Sequence, residues 1–289
     1  MDEFEISYYP GQEISANDGE NVLWRYHFAT DRRKPFIHPI TTLGGAELTC
    51  FEAWDHWWHR GHWFSLQYVN DVNYWEEDIE KMGPKGNIGQ VGEEEVFLHP
   101  DRAIVRTKYV YLPPEGDSPL EDARELVLGL PDEEGCFTLD WSIAITAKAK
   151  VTIKGVTEEW GGYTGLSWRS SRSMGGLKLL NSEGQTGNKN ENATQHQPAR
   201  WVDLTGQVDG GRDIRGGMTF MIHPSTLRFP ASWKTFANDG FGFINPSLIM
   251  TEPLELKKGE SIALKYRVLV HDDELDKDDI EALYKVYSA

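Results

Sequence analysis

Alternation between apolar and polar side chains constrains this chain more than any other feature. Residues 103–112, 125–130, 136–146 and 151–156 each alternate, and the spacers Pro113-Pro114-Glu115-Gly116 and Pro131-Asp132-Glu133-Glu134-Gly135 between them are turn-like. Successive side chains of a strand point to opposite faces, so a period of two marks half-buried antiparallel sheet. Residues 23–28, 63–69, 201–204, 217–223, 241–244 and 261–271 extend the series. Only the tail has a helical period. In 276–287, Ile280, Leu283, Tyr284 and Tyr287 recur at helical spacing, and Asp278 and Asp279 sit in the first turn. With no internal repeat and no Pro/Ser linker, the expectation is a single all-β domain over 1–289. Its form is a large antiparallel β-sandwich with one C-terminal helix.

Three stretches read differently. Residues 34–40 carry Pro35 and Pro39, which predicts an edge strand or a loop mouth. Residues 81–95 hold Gly83, Gly86, Gly89 and Gly92 and read as a mobile surface loop or lid. Residues 170–200, rich in Ser, Gly, Asn and Gln, read as one long polar loop.

The net charge of -17 excludes the basic face that nucleic acid or an anionic membrane would need. No apolar run reaches the ~18 to 20 residues of a membrane span. The acidic start Met1-Asp2-Glu3-Phe4-Glu5 lacks the pattern of a signal peptide, which predicts a cytoplasmic protein. Cys50 and Cys136 read as buried free thiols.

Chemistry concentrates in residues 54–64, Trp54-Asp55-His56-Trp57-Trp58-His59-Arg60-Gly61-His62-Trp63-Phe64. They hold three of the nine histidines and four of the eleven tryptophans. A core strand would use Val, Leu and Ile, which bury without hydrogen-bond cost. Imidazoles, a carboxylate and a guanidinium among large rings instead describe a polar site with aromatic walls, suited to a sugar. His56 and His59 are candidates for general base or acid, because imidazole titrates near ~6.5. With His38 they form a candidate ligand set for a divalent metal ion. Arg60 is a candidate anion or oxyanion partner, and a salt bridge to Asp55 or Glu77 is its alternative. Gly61 suits close backbone approach. Alternation puts Trp57 and Trp63 on one side, toward substrate, and Trp58 on the other, in the core. Downstream, Glu77 is a second proton carrier, and Asn73, Trp75 and Glu76 are substrate contacts with Asp55. His223, before Pro224, and Trp233 form a further candidate pair.

Several fragments together resemble the soluble "PmoA family", also catalogued as a domain of unknown function. They are Phe36-Ile37-His38-Pro39, residues 55–64, Val69-Asn70-x-Val72-x-x-Trp75, Asn181-Ser182-Glu183-Gly184, Trp201-Val202-Asp203, His223-Pro224 and Tyr266 to Asp272. The resemblance spans residues 23–287. It implies an antiparallel sandwich like those of mutarotases and polysaccharide lyases, and a gene setting of sugar catabolism beside dehydrogenases. It does not imply methane oxidation, which belongs to an integral membrane enzyme. Trp57-Trp58 departs from the family, which more often has Pro-His there.

These readings predict a carbohydrate-active enzyme with His-centred acid–base chemistry, first a lyase working by β-elimination. A glycoside hydrolase with paired carboxylates and an epimerase or mutarotase with one His and one Glu are the enzyme alternatives. A non-catalytic sugar-binding protein or dehydrogenase-associated subunit is the alternative from another class. The partner in every case is a sugar or oligosaccharide; a homo-oligomer stays open.

Overall fold

The computed structural model describes residues 4–29, 31–77, 82–156, 161–208 and 214–289. Two large antiparallel sheets face each other. The first has eight strands in the order Glu5–Tyr9, Glu13–Asp18, Asn21–His27, Phe36–Ile40, His62–Leu66, Thr164–Arg169, Phe241–Ser247 and Ser232–Asn238. The second has ten. Its main path runs Asn87–Gln90, Arg102–Leu112, Leu120–Gly129, Phe137–Ala147, Ser261–Asp272, Arg215–Ile222, Trp201–Val208, Met174–Asn181 and Thr186–Gly187. Glu95–His99 also pairs with Arg102–Leu112. A smaller sheet joins Leu254–Leu256, Val151–Lys154, Tyr68–Val69 and Val72–Asn73. The all-β sandwich read from the alternation is therefore the fold.

The alternation also fixes which face each strand buries. Along Arg102–Leu112 the odd-numbered residues Ala103, Val105, Thr107, Tyr109 and Tyr111 are buried, while Arg106 and Lys108 face solvent. Phe64, Leu66 and Trp168 of the first sheet meet Leu139, Trp141 and Val268 of the second in one core. An ion pair sits inside it. Arg124 donates to both oxygens of Asp122 at 2.8 and 2.7 Å, and its guanidinium lies over the rings of Phe64 and Tyr109. One arginine thus touches side chains of both sheets.

Each sheet has a second covered face. On the ten-stranded sheet the helix Lys277–Ser288 lays Ile280 and Tyr284 on Trp201, Met221 and Leu269. Asp276 caps it, accepting from the amides of Asp278 and Asp279. Leu283, expected on the apolar side, is 44% exposed. On the same sheet face, Asp203 accepts from Thr205 and Thr219, each at 2.8 Å, and meets His271 Nε2 at 3.0 Å. His271 Nδ1 faces the carbonyls of Asp272 and Asp273. Carbonyls only accept, so with a carboxylate at the other nitrogen the ring donates at both, which makes it an imidazolium. Burial alone pushes His271 down, but Asp203 and the two carbonyls outweigh it and hold it above its ordinary value. A side chain at Gly217 would fall 2.5 Å from Thr205 Oγ1 and 2.9 Å from the His271 ring. The glycine makes room for this pin, which joins three adjacent strands.

Three expectations change. Phe36–Ile40 is interior, paired with Asn21–His27 on one side and His62–Leu66 on the other. Pro39 is tolerated because the second pairing stops at Ile37, so no partner awaits its missing N–H. Within 81–95, of which Lys81 lies outside the described residues, Asn87–Gln90 is a strand and Glu95–His99 begins another. Gly89 pairs with Val110, and a Cβ there would meet Leu112 Cδ1 at 3.0 Å. The polar 170–200 stretch includes the strand Met174–Asn181 and the short strand Thr186–Gly187. Asn181 closes the turn between them, accepting from the amides of Glu183 and Gln185. Cys50 and Cys136 are unpaired and half-buried. No helix of the described residues is long and apolar enough to cross a membrane.

Candidate functional site

The eight-stranded sheet carries an aromatic layer on the face turned away from the sandwich core. Phe36, Trp63, Trp75 and Phe243 are buried there, with Phe51, Trp58, Tyr163, Phe236 and Phe241 packed against them. Above this layer stands a hairpin, Phe51–Ala53 paired with His56–Arg60, which holds the sequence cluster. Its tip is anchored by Asp55, which meets Arg169 at 3.2 Å and Arg172 at 3.4 Å. Arg169 in turn lies over the ring of Phe241, 3.6 Å from its centre.

Hairpin and layer enclose a cavity of about 210 Å3. Its described lining is His56, Trp58, His59, Trp75, Glu76, Met82, Tyr163, Phe236, Phe241 and Phe243. That is smaller than the ~300–1,000 Å3 of drug-sized sites and fits one small ring. His56 and His59 stack with ring centres 4.6 Å apart, and His59 stacks on Phe243 at 5.6 Å. Burial pushes both imidazoles down and so holds them neutral. Asp55 opposes this at His56, with Oδ2 3.1 Å from Nδ1, a contact off the hydrogen-bond axis but within ion-pair distance. His56 also feels the charge of Glu76.

Glu76 is held from behind. Gln67 Nε2 donates to one oxygen at 3.0 Å, and Asn73 Nδ2 donates to the other at 2.6 Å. Asn73 Oδ1 accepts from the amides of Trp75 and Glu76. The hairpin of Tyr68–Val69 and Val72–Asn73, with Asn70 at φ 55, delivers Asn73 to this place. Tyr163 completes the polar lining; burial first, then the charge of Glu76, pushes its phenol up to about 12.

Other predicted residues stand outside the lining. Arg60 pairs with Glu52 and, in two contacts, with Glu77. Lys34 meets Glu77 at 3.2 Å and donates to the Trp75 carbonyl at 2.6 Å. Burial would push Glu77 up, but Lys34 and Arg60 hold it below its ordinary value. The salt-bridge alternative for Arg60 is thus the one realised, and Glu77 clamps the Trp75–Glu76 segment to the cluster strand. His38 bonds Thr49 Oγ1 at 2.8 Å and stacks on Phe51. Among the described residues no three His, Cys, Asp or Glu side chains converge as a metal site, so His38, His56 and His59 do not form the expected ligand set. His62 lies in the core between Trp141 and Phe220, and burial pushes it down to about 3. His223 bonds Ser225 and meets Tyr287. Trp233 is a core residue donating to the Ala199 carbonyl.

The tryptophans exchange the expected roles. Trp58 lines the cavity, Trp57 is 59% exposed, and Trp63 is buried in the layer beneath. Gly61 is the reason. Its φ of +73 interrupts the strand and resets the alternation. A Cβ there would fall 2.8 Å from the Ile37 carbonyl. Sequence reasoning missed Tyr163, Phe236, Phe241, Phe243 and Met82; the alternating Phe241-Gly242-Phe243 was the one signal for a shared face.

The model of the family of unknown function DUF6807 matches residues 13–285. The chain belongs to DUF6807. The unknown-function part of the resemblance seen in the sequence is therefore met, while nothing in the match links DUF6807 to PmoA. No curated protein matches the sequence. Among solved structures, this DUF6807 chain is similar to the GH36 alpha-galactosidase AgaB of Geobacillus stearothermophilus. Identity is 9% and TM-score 0.45, covering 93% of this chain and 41% of that one. It is also similar to a putative aldose 1-epimerase of Escherichia coli K12, at 13% identity and TM-score 0.34, covering 94% of this chain and 100% of that one. The DUF6807 chain thus spans well under half of the galactosidase, and no activity follows from either likeness.

Proposed function

We propose that this DUF6807 protein is a carbohydrate-active enzyme that interconverts the anomers of an aldose, with His56 as its proton carrier and the Glu76 carboxylate as the counter-charge. One observation carries the reading. The two side chains share one small aromatic cavity, and each is fixed from behind by groups outside it, Asp55 for one and Gln67 with Asn73 for the other. Neutral His56 takes the proton of the anomeric hydroxyl, and Asp55 stabilises the imidazolium that forms. The same imidazolium, with the Glu76 carboxylate as its counter-charge, returns the proton to the ring oxygen as the C1–O5 bond breaks and the C1 carbonyl forms. Rotation about C1–C2 and reversal of both transfers close the other anomer, and His56 regains its starting state. Flat rings such as Trp58 and Trp75 support the C–H faces of the sugar.

β-Elimination, the first expectation from sequence, needs a positive group beside a sugar carboxylate. No Arg or Lys is among the described lining residues, and Arg60 is engaged by Glu52 and Glu77. That supports anomer exchange over elimination. The test is exchange spectroscopy or polarimetry on pure anomers of a panel of aldoses. Acceleration over the spontaneous rate is expected, with losses of about 100-fold or more in His56→Asn and in Glu76→Gln. An unsaturated product absorbing in the ultraviolet would return the reading to elimination. Binding without acceleration for every aldose would make the protein a sugar-binding module.

A further inference from the structure

The described walls of the cavity are mostly aromatic. Six of its described lining residues are aromatic: Trp58, Trp75, Tyr163, Phe236, Phe241 and Phe243. Its described polar side chains are His56, His59, Tyr163 and Glu76, with the indole N–H groups of Trp58 and Trp75. The histidines are neutral and add no positive charge. Glu76 is therefore the one charged side chain among the described lining residues, and it is 5% exposed. Ring faces attract cations through their quadrupoles, and the attraction grows when water is excluded. A buried carboxylate among such faces adds a fixed anion, which rewards a cation and penalises a second carboxylate.

We propose that the cavity selects an amine-bearing sugar, whose ammonium group lies against the aromatic walls beside Glu76, and rejects sugars bearing a carboxylate. This rests on the cavity being the sugar site proposed above, and it names the substrate class of that site. Of the surrounding cations, Lys234 lies over the Tyr163 ring at 5.0 Å and stands outside the described lining, so the other ring faces are the ones left to a ligand. Lys34 and Arg60 are engaged by Glu77, and Arg169 and Arg172 by Asp55.

Calorimetric titration of the full chain at pH 7 tests the selection. The probes are matched amino, neutral, N-acetylated and uronic forms of glucose and galactose. In the configuration that binds, the amino sugar is expected to bind at least tenfold more tightly than its neutral parent. N-acetylation, which removes the charge and keeps the nitrogen, erases the gain, and the uronate binds at least tenfold more weakly than the parent. Glu76→Gln collapses these differences to within about twofold. Because Glu76 is held by two amide donors, Phe236→Leu serves as a second variant. It keeps the carboxylate, thins the aromatic wall and is expected to reduce the amine preference severalfold. Equal binding of amino and neutral sugars, tighter binding of a uronate, or no binding of either amino sugar overturns the proposal. These are binding readouts, so they stand apart from the anomer-exchange assay. A charge-selective site without exchange activity removes the catalytic reading alone, and exchange without charge selection removes this one alone.

Discussion

Single side chains decide whether the cavity has chemistry. His56 is pulled two ways, down by burial and up by Asp55. Its NMR titration midpoint is expected below the ordinary value of ~6.5. In Asp55→Asn the midpoint falls further, because the stronger of the two opposing carboxylates is gone and only Glu76 remains; a rise would show that Asp55 does not act on the ring. Glu77 presents the mirror case. Its carboxyl is held low by Lys34 and Arg60, so it adds stability above its unfolded pKa and loses it as pH falls through the folded one. Glu77→Gln leaves the buried Lys34 without its carboxylate and Arg60 with Glu52 alone. Chemical denaturation at pH 7 is expected to show a loss of about 3–5 kcal/mol, shrinking toward acid. Gly61→Ala forces a Cβ toward the Ile37 carbonyl at positive φ, a loss of at least ~1–2 kcal/mol in the same assay. An unchanged midpoint for Gly61→Ala would remove its role in resetting the strand.

At the level of elements, the long strands were legible because their alternation survives in the structure. Residues 103–112 and 136–146 correspond within a residue to Arg102–Leu112 and Phe137–Ala147. The helix was legible from its period and its acidic first turn. Thr164–Arg169 was not, since every residue in it is buried and alternation carries no signal there. The site was half legible. The cluster marked His56 and His59, and the next strand region marked Trp75 and Glu76. Phe236, Phe241 and Phe243 come from strands whose nearness to the cluster is a matter of sheet order, which local pattern does not encode. Arg60 and Glu77 looked catalytic because composition shows a charge but not its partner. The His271–Asp203 pin also belongs to this scale, joining three strands by one imidazolium. Its raised pKa contributes stability that is full below the unfolded value and lost as pH rises through the folded one. The melting temperature is expected to fall across that step, and His271→Gln to flatten it. A step unchanged in the variant would assign it elsewhere.

For the whole molecule the two linkages bound a window. Protonation of Glu77 removes its clamp at the acid end and deprotonation of His271 removes the imidazolium at the other, so stability is greatest between the two unfolded pKa values. A net charge of -17 adds self-repulsion, which salt screens. Thermal denaturation at fixed pH inside that window is therefore expected to shift upward with moderate salt, and a downward shift would show that specific ion pairs outweigh the net charge. The two outer faces divide the labour. One carries the helix and the pin; the other carries the aromatic layer and the cavity.

Strand Ser261–Asp272 lies in the middle of the ten-stranded sheet, between Phe137–Ala147 and Arg215–Ile222. During synthesis both neighbours leave the ribosome before the strand that takes the place between them. Until residue 272 has cleared the exit tunnel, two long edges stand open to foreign strands. The sheet is completed by insertion rather than by growth from one side, so nascent chains halted before this strand are the form of the protein most in need of a chaperone.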